Sequence, residues 1–158
     1  MSNPTTPTQF GLIDPAIAAT MTGLEFLQAI IDGKLPAPPI GRTLSFRIAE
    51  AAPGRAVFLG KPLLDHYNPL GIVHGGYLAT LLDSAMGCAV QSRLPAGQSY
   101  TTLEFKMNFV RPVLESTGEL RAEGSVVHLG KRTATADARL LDTAGKLIAH
   151  GTATCLIL

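Results

Sequence analysis

The chain has 158 residues, 46% of them apolar and 16% charged, with 13 basic residues against 12 acidic ones. That length and composition fit one domain with a proper core and exclude extended disorder away from the ends. The near balance of charge excludes the basic field that captures nucleic acid.

Cys88 and Cys155 belong to no CxxC pair and no Cys/His cluster, so the sequence offers zinc no site. His66, His128 and His150 share no metal-ligand spacing. The opening residues lack a basic stretch followed by an apolar run, so no signal peptide is read. No segment reaches the ~18 apolar residues of a membrane span, because Asp83 interrupts the best candidate, 77–90. The expectation is a soluble, reduced, cytoplasmic protein with no membrane or nucleic-acid partner.

In chain order, the first ten or so residues are polar and proline-bearing and read as a mobile arm. Asp14-Pro15 can cap a helix. Leu24, Leu27, Ile30 and Ile31 continue a helical apolar stripe. Thr22-Gly23 can split it, so one helix and two short ones are equally compatible. Pro36, Pro38 and Pro39 predict an extended crossing. Leu44, Phe46 and Ile48 alternate as a strand, and 52–55 forms a turn into a second strand at 56–59. Residues 61–73 form a loop long enough to suggest a functional role. The strongest helix is 75–92, with Leu78, Leu81, Leu82, Ala85, Met86 and Ala89 on one face. Four strands follow, near 99–110, 117–128, 132–141 and 147–156, the last two joined by a hairpin turn at 142–145.

Ala and Gly dominate the inward positions of those last strands: Ala122, Gly124, Ala134, Ala136, Ala138, Ala149, Gly151 and Ala153. Small side chains let a bulky object sit close to a sheet, and the 75–92 helix is that object. The predicted fold is α+β: a curved antiparallel sheet wrapped around one long central helix, after an N-terminal helical extension.

The chemistry concentrates at 68–83. Gly75-Gly76 at a helix start exposes backbone N–H groups, and the helix dipole adds positive charge there. Such a site can hold the oxyanion of a carbonyl under attack. A glycine pair also serves a tight loop-to-helix turn, and that alternative stays open. Asp is a poor mid-helix residue, yet Asp83 sits among Gly76, Thr80 and Gly87, which leave room for a substrate or a second chain. A solvated surface acid is its alternative. Asp83 lies eight residues beyond Gly75, ~12 Å along a helix axis. A nucleophile or base must come within ~3 Å of its target. If both residues serve one carbonyl, they come from two chains of a symmetric dimer with two composite sites.

The segment Asn68–x5–His74-Gly75-Gly76–x6–Asp83 resembles the PaaI-like (phenylacetate-degradation) branch of the hot-dog-fold acyl-CoA thioesterases, with the Asn-to-His and His-to-Asp spacings of that branch. Thr102-Leu-Glu-Phe-Lys-Met-Asn-Phe-Val-Arg-Pro112 resembles the strand after the helix, and Gly130-Lys131-Arg132 the turn that meets CoA. The resemblance covers 39–158, a hot-dog thioesterase domain, with 1–38 as arm and helical extension. It implies hydrolysis of an acyl-CoA by a homodimer, assembled further into a homotetramer, with no cofactor beyond the CoA thioester substrate. It implies that the Gly75 N–H, aided by Asn68, polarises the carbonyl. Asp83 of the other chain acts as nucleophile or general base, and Thr102 orients the water or the carboxylate. His74 fixes the loop and helix start. Gly76, His128, Gly130, Lys131 and Arg132 would contact substrate and CoA, the two cations suiting its phosphates. Lys131 and Arg132 also read simply as solvated charges in a turn.

Two other readings remain: a hydroxyacyl-thioester dehydratase, which pairs His and acid in a different pattern, and a non-catalytic acyl-CoA-binding protein. Ser84 follows Asp83, but Gly-x-Ser-x-Gly is absent, which leaves a serine hydrolase little support. The acyl group is open, with Tyr77, Met86, Phe105, Met107 and Phe109 as candidate pocket residues.

Overall fold

The computed structural model of the chain describes residues 9–158. The expected polar arm falls mostly on 1–8, outside the described residues. Phe10, at its end, bridges to Ala37. Asp14 caps α1 (Pro15–Ala18), its carboxylate accepting from the Ala16 N–H at 2.8 Å. The apolar stripe is split, because Thr22 and Glu25 form a reciprocal capping box that opens α2 (Gly23–Ile31). The proline-rich crossing ends sooner than expected. Pro38 is extended, but Pro39 takes the first position of α3 (Pro39–Thr43), where its fixed φ suits a helix.

The hairpin of β1 (Phe46–Ala52) and β2 (Arg55–Gly60) turns at Gly54, whose φ of 78° suits a residue without Cβ. Helix α4 (Gly75–Gln91) follows the long loop. The remaining strands are β3 (Tyr100–Phe109), β4 (Leu120–Leu129), β5 (Thr133–Leu141) and β6 (Leu147–Ile157). Strand β4 starts later than its alternation predicts. Residues 115–117 make a 3-10 turn and Gly118 has a φ of 76°, so pairing begins beyond them.

All neighbours pair antiparallel in one six-stranded sheet of order β1-β2-β4-β5-β6-β3. It wraps α4, as expected of the hot-dog fold. The inward Ala and Gly residues allow that approach. Ala122, Gly124, Ala134, Ala136, Ala138, Ala149, Gly151 and Ala153 are all buried. At Gly124 the helix backbone meets the sheet: a Cβ there would overlap the Ala85 carbonyl. Glu50, Arg121 and Glu123 join in ion pairs, Arg121 to Glu50 at 2.9 Å and to Glu123 at 2.6 Å.

The sheet does not close around α4. Its edges, β1 and β3, leave Thr80, Asp83, Ser84, Cys88 and Gln91 partly exposed along one side of the helix. Near that side's far end, α2 docks on the chain leaving α4. The Gly23 N–H donates to the Leu94 carbonyl at 3.0 Å, and a Cβ on Gly23 would overlap the Gln91 carbonyl.

Because Gly124 opposes rigid backbone, Gly124→Ala is expected to destabilise the fold by about 3 kcal/mol, the upper range for overpacking. Thermal unfolding should show Tm lowered by roughly 6–12 °C.

Candidate active site

His74 is the N-cap of α4, its Nδ1 accepting from the Gly76 N–H at 2.9 Å. The ring therefore serves the helix start, and Gly76 spends its N–H on it. The Gly75 N–H, by contrast, donates to no described residue. It lies beside a pocket of about 290 Å³ lined by Ile72, Val73, Leu78, Phe109 and Arg111 among others. A Cβ on Gly75 would stand 3.3 Å from the Phe109 ring. An unspent N–H at the positive end of a 17-residue helix can hold a carbonyl oxygen that is gaining charge.

The preceding loop is held by two side chains. Asn68 Oδ1 accepts from the N–H groups of Leu70 at 2.9 Å and Ile72 at 3.2 Å, which leaves only its amide NH2 for a ligand. Buried His66 accepts from the Leu63 N–H through Nδ1, pairs through Nε2 with the Thr43 carbonyl at 3.0 Å, and stacks on Tyr77 at 4.8 Å. Its carbonyl in turn accepts from the His74 N–H at 2.8 Å. His66 thus ties the loop to the helix start. No spacing marked it for that role in the sequence.

Asp83 lies on the side of α4 that the sheet leaves open. Thr102, on β3, donates to its Oδ1 at 3.0 Å. A bulge follows Thr102, with Leu103 as the extra residue. Strict alternation would put Thr102 and Phe105 on opposite faces. The bulge puts both inward, so that Thr102 opposes Cys155, Phe105 opposes Ala153, and Phe109 opposes Ala149. Gly87 does not leave the room expected around the acid, because the Tyr100 hydroxyl and ring occupy it. Tyr100 was not singled out from sequence; its inward position beside a helix glycine is the signal that could have found it. Burial pushes the Cys88 thiol up to about 12, with the nearby Asp83 charge acting in the same direction. Burial also raises Tyr100 and Cys155.

Asp83 and Gly75 of one chain are not brought together. Eight helical residues, ~12 Å, separate them. Gly130, Lys131 and Arg132 lie in the β4–β5 turn, with the His128 ring 3.5 Å from where a Gly130 Cβ would stand. Both cations are exposed, and neither forms an ion pair among the described residues. The turn shares an end of the sheet with Thr102, through the row Thr102–Cys155–Ala134–Leu129. Of the candidate pocket residues, Tyr77 and Met86 are core side chains, while Phe105 and Phe109 stay 43% and 56% exposed. A cavity of about 750 Å³ lies apart from the carboxylate, between α2 and β1. The described residues hold no group of three or more His, Cys, Asp or Glu that could bind a metal ion, and no helix is long and apolar enough to cross a membrane.

A curved antiparallel sheet wrapped around one long helix is the architecture of the hot-dog fold. Residues 70–149, just over half the chain, match the thioesterase superfamily, and the chain belongs to that family. It is 38% identical over 77 residues, 48% of its length, to a protein assigned as an esterase in Halobacterium salinarum. The match spans about half (49%) of that relative. Among solved structures it resembles a variant of the phenylacetic acid degradation protein PaaI from Thermus thermophilus, at 34% identity and a TM-score of 0.67, covering 75% of this chain and 97% of that one. It also resembles a phenylacetic acid degradation-related protein assigned as a thioesterase from Ralstonia eutropha, at 28% identity and a TM-score of 0.75, covering 83% and 98%.

With its thiol near 12 rather than the ordinary 9, Cys88 holds almost no thiolate at pH 8, although part of the residue is accessible. Iodoacetamide at that pH should modify it at least a hundredfold more slowly in the native chain than in the urea-unfolded chain, as read by peptide mass spectrometry.

Proposed function

We propose that the protein hydrolyses acyl-CoA thioesters to free CoA and a carboxylic acid, in a dimer whose two sites each join Asp83 of one chain to the Gly75 amide of the other. The observation that carries the proposal is Asp83 itself, a mid-helix acid on the open side of α4, fixed by Thr102 at 3.0 Å. A carboxylate needs no such orientation to serve as a solvated surface charge.

The edge strand supports the dimer. Strand β3 has one paired side, and Leu103, Phe105 and Phe109 on it are 57%, 43% and 56% exposed. An unpaired apolar edge invites a second strand. Pairing β3 with β3 about a two-fold axis would bring the partner's Gly75 region towards Asp83, and a two-fold contact creates both sites at once.

In such a site the thioester oxygen accepts from the Gly75 N–H and the Asn68 amide. Asp83 either attacks the carbonyl carbon, expelling CoA thiolate to leave an anhydride that water hydrolyses, or removes a proton from water that attacks directly. Thr102 aims the carboxylate in both cases. His128, Gly130, Lys131 and Arg132 lie on the sheet end shared with Thr102 and would meet CoA, the cations beside its phosphates. Gly76 contributes by close backbone approach to substrate.

Thiol release from a panel of acyl-CoAs tests the function. Asp83→Ala should lower kcat at least a hundredfold, in the range for loss of a general base or more. Thr102→Val should lower kcat about tenfold or more with little change in KM, because it disorders the carboxylate and not the binding surface. Single turnover in oxygen-18 water separates the two chemistries: label entering Asp83 means attack by the carboxylate. Saturable binding of acyl-CoA with no thiol released across the panel would replace hydrolysis with a binding role.

A further inference from the structure

The cavity between α2 and β1 takes no part in the bond-making assigned to Asp83 and Gly75. It measures about 750 Å³ and lies between the N-terminal extension and the sheet. Phe26, Leu27, Ile30 and Ile31 of α2 form one wall and Phe46, Ile48 and Phe58 the other. The segments 11–13 and 36–39 close it, and among the α4 residues Cys88 reaches it. Apart from Asp32 and Arg47, the lining is apolar or glycine. Arg47 pairs with Glu119 at 3.5 Å.

A volume of this size lies within the ~300–1,000 Å³ of small-molecule pockets. Interiors are otherwise close-packed, and an apolar space this large that holds only water forgoes the contacts that packing supplies. Its position relative to Asp83 is informative. The exposed side of α4 runs from Asp83 through Ser84 to Cys88, and Cys88 is among the residues lining the cavity. Five helical residues separate Asp83 from Cys88, ~7.5 Å along the axis. Tyr100, packed on Gly87, borders that path.

We infer that this cavity is the acyl-chain pocket of the Asp83 site and that it selects aliphatic acyl groups of medium to long chain. The inference rests on the thioesterase reading above. The carbonyl sits at Asp83, and the chain follows Ser84 and Cys88 under α2 into the cavity. The N-terminal extension is then the specificity element of the enzyme. Its α2 opens on the Thr22–Glu25 capping box and is tied to the chain after α4 by the Gly23–Leu94 contact.

The test is a chain-length series of CoA thioesters, acetyl, hexanoyl, decanoyl and tetradecanoyl, with wild type, Ile30→Trp and Ile30→Phe. Each buried methylene is expected to raise kcat/KM about fourfold until the cavity is full. Filling it with Ile30→Trp should lower kcat/KM for decanoyl-CoA at least tenfold and leave acetyl-CoA within about twofold, with Ile30→Phe between. Calorimetry on the catalytically silent Asp83→Ala protein adds a readout independent of turnover and of the Ile30 variants' folding. Decanoyl-CoA should bind at least tenfold more tightly than acetyl-CoA. Hydrolysis that is equally fast for all chain lengths would overturn the inference while leaving the thioesterase reading intact. So would equal binding of both ligands, or an Ile30→Trp effect on oligomeric state in place of chain-length preference. No thiol release at all, with length-dependent binding retained, would overturn the hydrolytic reading and keep the pocket.

Discussion

The structure depends on how closely α4 lies against the sheet. Glycine at 124 brings the helix backbone at Ala85 onto β4, and alanines at 122, 134, 136, 138, 149 and 153 keep the surrounding surface shallow. A sheet of Val and Ile would hold the helix away. With α4 pulled in, six strands suffice to wrap most of its circumference, and the gap between β1 and β3 becomes a defined feature. Asp83 and Thr102 lie within that gap, Cys88 farther along it, and Gly75 at the helix start.

On the proposed function, the same geometry leaves the site of a single chain incomplete. The amide that can hold an oxyanion and the carboxylate that can attack or activate water are on one rigid helix, too far apart to share an atom. Strand β3, which carries Thr102, is also an edge with exposed aromatic side chains. In the proposed dimer, pairing along the β3 edge would complete the sheet edge and the site together.

Much of the fold was legible because the signals were periodic. The alternation in β5 and β6 and the apolar face of α4 appear in the structure nearly residue for residue. The capping chemistry of Asp14-Pro15 was legible too. Local backbone events were not. The bulge at Leu103 shifts the phase of β3 by one residue, and no alternation pattern announces it, yet it lets Thr102 and Phe109 face the same side. The short α3 was hidden because three nearby prolines argue for extension, and only their order makes Pro39 a helix start. In the site, spacing could place Asn68, His74, Gly75 and Asp83 together as a motif. It could not show that Asn68 spends its oxygen on its own loop, that Tyr100 fills the space beside Gly87, or that His66 braces the helix start. Those facts depend on contacts between residues distant in sequence or on loop geometry.

Complementation tests most directly whether each site is shared between two chains. Gly75→Pro removes the N–H at a helix position that tolerates proline, and His74 is already extended before it (φ −61°, ψ 136°). Asp83→Ala removes the carboxylate. Each variant alone should be nearly inactive. After subunit exchange, verified by native mass spectrometry, an equal mixture should recover about a quarter of wild-type activity, since half the dimers are mixed and each holds one intact site. Verified exchange with no recovery would contradict a site shared between Asp83 of one chain and Gly75 of the other.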